Sequence, residues 1–307
     1  FFLNIIAPMK TMPERITMVN PVLEKGLLEF RIPYPKNRAS SNGFIRWGKN
    51  QRYWAIQVDD GFFFGDFATD LSTAVFPNRK VNDYDAKTYS KRVSDLIEQT
   101  DQERNYFYIK TKERAQKIWE TSACLTYSHD YLVRKKAVSS GLKIAGEGCL
   151  IIPLYDINGE LWTLQFIDTN GTKRFLRNGK KSGNFFMFGK PQNRIYICEG
   201  YATASSVYQA VKECVVACFD AGNFSKVAPQ LAQKYPNADL VFCADNDRFN
   251  LVNVGIEKAT KTAQPLKAKV VYPVFDEKDT QSTDFNDLHC WYGLNFVRQQ
   301  IIISLGE

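Results

Sequence analysis

Arg194-Ile-Tyr-Ile-Cys-Glu199 and Asp239-Leu-Val-Phe-Cys-Ala-Asp245-Asn-Asp247 decide the reading of this 307-residue chain. Each is a short apolar run that stops on carboxylates. The first is followed by a helical pattern over Ala202–Val211, and the second by one over Asn253–Ala263. Between them, an apolar run Cys214–Phe219 precedes a helical pattern over Ser225–Lys234. Beyond them, Ala268–Phe275 precedes Leu294–Ser304. Four apolar strands alternating with four amphipathic helices predict a parallel α/β sheet. Right-handed crossovers then bring the C-terminal ends of all four strands to one edge. Ligands bind at that edge in open sheets of this kind.

The acids fall at the same edge. Glu199 ends the first strand, Asp220 the second, and Asp245 and Asp247 the third, while Asp284 and Asp287 lie beyond the fourth. A charge at the end of a buried strand costs desolvation unless it is paired or binds a cation. Asp220-Ala-Gly-Asn is a good turn and cap sequence, so Asp220 reads as structural. The other carboxylates repel one another and would take up protons, a conflict that a hard divalent cation removes. Mg²⁺ (or Mn²⁺) prefers oxygen ligands and shares them with phosphates. Two such ions can activate an attacking hydroxyl and stabilise a departing pyrophosphate. The acidic edge therefore suits phosphoryl or nucleotidyl transfer.

Upstream, Cys149–Tyr155 and Leu161–Ile167 read as strands joined by the turn Asp156-Ile-Asn-Gly159. A short helix is expected over His129–Lys136, capped by Ser128. Residues 168–190 read as a basic loop region containing Lys173, Arg174, Arg177, Lys180 and Lys181. Residues 83–121 are polar with spaced apolar positions and predict one long helix or two shorter ones. Residues 22–78 predict a small antiparallel β unit with strands Leu27–Ile32, Gly43–Trp47, Tyr53–Val58 and Phe62–Phe67. Its aromatics Trp47, Trp54, Phe62, Phe63 and Phe64 have the chemistry to stack bases, but at least half are expected in the β-unit core. His129 and His289 are the only histidines, and surface or capping roles are expected for both.

Charge is divided unevenly: residues 191–307 carry 11 Lys and Arg against 13 Asp and Glu, whereas residues 1–190 carry 29 against 20. A polyanion drawn to the first part and metal ions held by the second fit this division. The seven cysteines contain no C-x-x-C pair, so no zinc ribbon is encoded. Cys198, Cys214, Cys218 and Cys243 read as small buried hydrophobes in a reducing, cytoplasmic setting. No P-loop motif is present, and no apolar run reaches the roughly 20 residues of a membrane-spanning helix. Phe1–Pro8 is apolar without a basic lead-in or a small-residue cleavage site, which favours a packed strand over a signal peptide.

Cys198-Glu199-Gly-Tyr with Ala244-Asp245-Asn-Asp247 resembles the Toprim signature, a Glu after the first strand and a D-x-D after the third. Toprim domains are shared by bacterial primases, type I and II topoisomerases and some nucleases. Glu199-Gly-Tyr-Ala-Thr-Ala-Ser-Ser, Phe219-Asp-Ala-Gly-Asn-Phe and Thr283-Asp-Phe-Asn-Asp-Leu look more specifically like the primases of plasmids and phages. So do His129-Asp-Tyr-Leu-Val-Arg-Lys-Lys, Pro153–Asp168 and Lys173-Arg-Phe-Leu, and the resemblance extends over residues 110–300.

The resemblance implies that Glu199, Asp245 and Asp247 are catalytic metal ligands, with Asp284 and Asp287 as a further acidic pair. It implies that the basic segment carrying Lys173, Arg174, Arg177, Lys180 and Lys181 faces NTPs and a single-stranded DNA template. A replicative helicase or a mobile-element replication protein is the expected partner. The fold class expected is α/β: a C-terminal parallel, Rossmann-like Toprim sheet at 191–307, a helical connector and basic mixed α/β subdomain at 83–190, and a β-rich segment at 1–82. Where bacterial primases carry a zinc-binding domain, this chain has the zinc-free β-rich segment. The same acids would also serve a Toprim nuclease, or persist in a non-catalytic single-stranded DNA-binding module. The basic subdomain at 130–190 favours the primase over the nuclease. The intact Glu199, Asp245 and Asp247 favour either enzyme over the module, because clustered acids are costly to retain.

Overall fold

The structure, a computed structural model, describes residues 20–35, 44–49, 52–66, 68–69, 71–276, 278–279 and 281–307. The stretch Phe1–Pro8 lies outside them. The chain forms two compact units, residues 1–104 and 105–307.

The first unit begins with helix α1 (Pro21–Glu29), then strands β1 (Phe44–Trp47), β2 (Tyr53–Val58), β3 (Gly61–Asp66) and β4 (Leu71–Val75), which form an antiparallel meander. Leu27–Ile32, expected as a strand, is instead the last three residues of α1 followed by a turn. Asn20 caps the helix by accepting from the Val22 and Leu23 amides at 3.0 and 3.4 Å, and Pro21 sits at the first helical position. The apolar positions Leu23, Gly26 and Leu27 then share one face. That face packs with Ala55, Phe62 and Phe64 on one side of the sheet, while Trp54, Ile56, Val58 and Phe63 fill the other side. Trp47, Trp54, Phe62, Phe63 and Phe64 are all buried, so the core reading holds for every one.

Helix α2 (Asp83–Thr121) is continuous over 39 residues. Tyr89 and Val93 near its start join the core around Trp54 in the first unit. Ala115, Ile118 and Trp119 near its end pack on Ile151, Leu164 and Leu176 in the second.

The second unit continues with β5 (Ala123–Cys124), α3 (Asp130–Arg134), β6 (Lys143–Ala145), β7 (Cys149–Tyr155), β8 (Leu161–Ile167) and β9 (Lys173–Phe175). These strands pair in sequence order as a five-stranded antiparallel sheet. The α3 cap is His129 rather than Ser128. Its buried ring accepts from the Tyr131 amide at 3.2 Å and contacts the Gly148 carbonyl at 2.9 Å.

A second sheet uses β10 (Phe186–Phe188), β11 (Arg194–Cys198), β12 (Cys214–Ala217), β13 (Asp239–Cys243) and β14 (Lys269–Val271) in the order β10-β12-β11-β13-β14. The last four are parallel and β10 is antiparallel. Strands β9 and β10 both lie in the stretch read as a loop. Helices α4 (Tyr201–Val211), α5 (Phe224–Lys234), α6 (Val254–Ala263), α7 (Phe285–Tyr292) and α8 (Leu294–Leu305) complete the chain.

Strand alternation divides the core. Tyr196, Cys198, Val215, Ala217, Val241 and Cys243 face α4, α7 and α8, in a core that also takes Leu150, Ile152 and Ile167 from the antiparallel sheet. Ile195, Ile197, Val216, Leu240 and Phe242 face α5 and α6. Cys198, Cys214, Cys218 and Cys243 are free and buried, as expected. Among the described residues, no helix is long and apolar enough to cross a membrane.

Candidate active site

Glu199 leaves the end of β11, and Asp245 and Asp247 leave the end of the neighbouring β13. The sequence Thr283-Asp-Phe-Asn-Asp-Leu opens α7. Asp284 is its N-cap and accepts from the Asp287 amide at 2.8 Å, while Asp287 accepts from the Thr283 amide at 3.0 Å. The Asn246 amide donates to the Thr283 carbonyl at 2.7 Å, tying the D-x-D loop to the start of this helix. Asp247 accepts from the Gly255 amide at 3.0 Å, at the first turn of α6. Asp220 caps the turn Ala221–Asn223 and ion-pairs with Lys181, consistent with its structural reading.

A cleft of about 150 Å³ opens beside these acids. Glu199, Asp245 and Asp284 line it with Lys135, Gln165, Lys173, Thr203 and Phe219. Thr203 donates from α4 to Asp284 at 3.1 Å. Phe219 has a left-handed backbone (φ 68°), and its ring stands edge-on to Phe175 of β9 at 6.0 Å. Asp245 Oδ1 is buried and has no hydrogen-bond partner. Burial pushes the Asp245 carboxyl well above the ordinary aspartate range, and the charges of Asp284, Glu199, Asp247 and Asp287 push it further. Burial also raises Asp284, with Asp287 adding to it, and raises Glu199, with Asp247 and Asp220 adding to it.

The cations divide by strand position. Lys173 lines the cleft although the residue as a whole is exposed; partial desolvation of its ammonium and the charge of Lys135 lower its pKa, against the pull of Asp284, Asp245 and Glu199. Arg174, next along β9, and Arg177 are exposed and do not line the cleft. Lys180 stacks on Trp162, its Nζ 4.2 Å from the ring centroid, and Lys181 is taken by Asp220. Sequence reasoning passed over Lys135, which reaches the cleft from the end of α3 and lies 3.5 Å from Asp287. It also passed over Gln165, Thr203 and Lys258, whose ammonium lowers the Glu199 pKa. Their elements were legible, but no motif spacing relates residues 135, 165 and 258 to a cleft built at 199 and 245. His289 is buried rather than at the surface, with Nδ1 3.0 Å from Ser206 Oγ.

Among the described residues, no group of three His, Cys, Asp or Glu side chains forms a ready-made metal cage. The donor set nevertheless fits a magnesium-like ion that keeps most of its waters and takes one or two carboxylates. An orphaned, buried carboxylate oxygen amid like charges is a group such an ion would satisfy.

With the fold and the acidic edge in place, residues 194–294 match the family described as Toprim domain. The chain is similar to a DNA primase TraC of Escherichia coli, with 39% identity over 133 residues, covering 40% of this chain and 9% of that protein. A second Escherichia coli DNA primase TraC is 38% identical over 133 residues, covering 40% of this chain and 12% of that protein. The match thus spans only about a tenth of the length of either relative. Among solved structures, the primase fragment of the bacteriophage T7 primase-helicase protein aligns with a TM-score of 0.43 at 17% identity, covering 59% of this chain and 80% of that one.

Proposed function

We propose that this chain is the catalytic part of a DNA primase that joins nucleotides on a single-stranded DNA template. The observation that carries the reading is the cleft where the unpartnered Asp245 oxygen and the Glu199 and Asp284 carboxylates face the ammonium groups of Lys173 and Lys135. The similarity of the matched stretch to two DNA primases supports the choice of reaction.

Glu199, Asp245 and Asp247 are the residues that would hold Mg²⁺ (or Mn²⁺), with Asp284 and Asp287 beside them. When bound, the ions would supply charge neutralisation at phosphate oxygens and an acidified attacking hydroxyl. The chain's own part is to position. Asp284 fixes the opening turn of α7 and is itself oriented by Thr203. Lys173 and Lys135 offer cations to the phosphates of an incoming NTP, whose negative charge exceeds what two divalent ions offset. Phe219 closes one wall with an apolar ring. Exposed cations at Arg174 and Arg177 extend the basic surface toward the template. The free cysteines suit a reducing, cytoplasmic setting, and a replicative helicase or mobile-element replication protein would deliver the enzyme to its template.

Incorporation of labelled NTP on a single-stranded template, with and without Mg²⁺, tests the proposal. Metal-dependent extension that is absent in Asp245→Asn is expected. Cleavage of the template without extension would transfer the site to a nuclease. Binding without either reaction would leave a non-catalytic module.

A further inference from the structure

Arg248 follows Asp247 directly and makes no contact with the cleft, yet its guanidinium is nearly saturated. Nε donates to the Ser282 carbonyl at 3.2 Å and Nη1 to the Asp276 carbonyl at 3.4 Å. Nη2 donates to the Asp279 carbonyl and lies 3.2 Å from the Asp279 carboxylate. The planar group also sits over two rings, 4.6 Å from the Phe249 centroid and 5.0 Å from that of Phe275. Asp279 is preorganised for this role. Hydrogen bonds from the Ser282 side chain and from the Gln281 and Ser282 amides hold its carboxyl down at about 2, with Arg248 adding to the effect.

The hydrogen bonds and the ion pair of Arg248 all fall on the segment that leads into Asp284 and Asp287. Two further bonds run from the D-x-D loop to the same part of the fold: the Asn246 amide to the Thr283 carbonyl, and Asn246 Nδ2 to the Pro273 carbonyl at 3.0 Å. Asn246 and Arg248, on either side of Asp247, thereby connect one acidic pair to the other, and Arg248 supplies most of the side-chain bonds.

We infer that Arg248 is a positioning residue: it straps the segment before α7 to the D-x-D loop and so sets the spacing between Asp245 and Asp247 on one side and Asp284 and Asp287 on the other. Its consequence is the strength of divalent-cation binding, and it therefore rests on the metal-binding reading proposed above. A lysine cannot replace it fully, because one ammonium lacks the planar fork that reaches three carbonyls.

The test is Mn²⁺ affinity of the intact chain, read by electron paramagnetic resonance without nucleotide or DNA, alongside metal-free thermal unfolding. Arg248→Gln is expected to weaken Mn²⁺ binding about tenfold, the usual order for losing a group that orients metal ligands. Arg248→Lys should fall between that variant and the native chain. Asp245→Asn serves as the control for the metal reading itself. If Asp245→Asn weakens Mn²⁺ binding and Arg248→Gln does not, the strap is overturned and the metal site stands. If neither weakens it, the metal reading fails and the strap with it. Should Arg248→Gln not fold, Asp279→Asn removes only the carboxylate arm. Weakened Mn²⁺ binding in folded Asp279→Asn supports the inference, and native affinity overturns it.

Discussion

Asp245 concentrates the electrostatic cost of the site in one side chain. Its Oδ1 is buried without a partner, and four other carboxylates raise its proton affinity. Because its folded pKa is raised above the ordinary 3.8, the stability linked to it is fully present below that value. That contribution is lost as pH rises through the folded pKa. Metal-free protein should therefore lose thermal stability over this window, and Asp245→Asn should flatten the loss while matching or exceeding the native Tm at neutral pH. Unfolding curves at several pH values, in the presence of a chelator, check this. The same substitution, and Glu199→Gln, should abolish NTP incorporation. Among the cations, strand period decides: Lys173 and Arg174 are adjacent on β9, so they point to opposite faces, and only Lys173 lines the cleft. Lys173→Ala should reduce NTP use about tenfold, or about 1.4 kcal/mol of transition-state stabilisation. Arg174→Ala should reduce it less, and steady-state incorporation kinetics separate the two. The motif made the basic run legible, but the two-residue period that chooses between neighbours required knowing that β9 is a strand.

At the scale of elements, what could be read depended on burial. Strands β11 and β13 are buried and apolar along nearly their whole length, so their runs and their acidic ends stood out in the sequence. Strands β9 and β10 have three residues each, too few to show a period within a glycine- and lysine-rich stretch. Helix α7 was hidden because its cap and first turn supply Asp284 and Asp287, which read as an acidic loop. The end of helix α1, Leu27–Glu29, was read as the start of a strand because a short apolar run looks alike in both until the cap is recognised. Helix α6 shows how closely an element can be fitted to the site. A Cβ on Gly255 would lie 2.3 Å from the Asp245 carbonyl oxygen and 3.1 Å from its carbonyl carbon, and the Gly255 amide holds Asp247. Backbone cannot yield as a flexible side chain can, so α6 would have to move. Gly255→Ala should destabilise the fold by about 1–3 kcal/mol and weaken Mn²⁺ binding through Asp247. Denaturant unfolding and Mn²⁺ titration should change together; a loss of stability at native Mn²⁺ affinity would separate α6 from the site.

For the whole molecule, charge indicates where the proposed template strand would engage. Within residues 1–190, the first compact unit up to Arg104 carries 15 Lys and Arg against 13 Asp and Glu, whereas residues 105–190 carry 14 against 7. Most of the positive excess therefore belongs to the part of the second unit that precedes β11. Among the described residues, the first unit pairs three of its cations internally, Arg52 with Asp66, Arg79 with Asp60 and Asp85, and Arg104 with Asp101. Single-stranded DNA should accordingly bind through residues 105–190, with an affinity that falls steeply as salt rises. Each phosphate contact contributes about −0.7 to the slope of log affinity against log salt on single strands. Neutralising the exposed Arg174 and Arg177 together, as Arg174→Gln with Arg177→Gln in the intact chain, should flatten that slope by up to about 1.4. Neutralising the exposed Lys87 and Lys91 on the first unit's part of α2 should leave it unchanged. Fluorescence anisotropy of a labelled oligonucleotide across a salt series measures both slopes. Equal flattening by the two pairs would mean that the strand follows overall charge rather than a path toward the cleft. Flattening by the lysine pair alone would move the template to the β-rich unit.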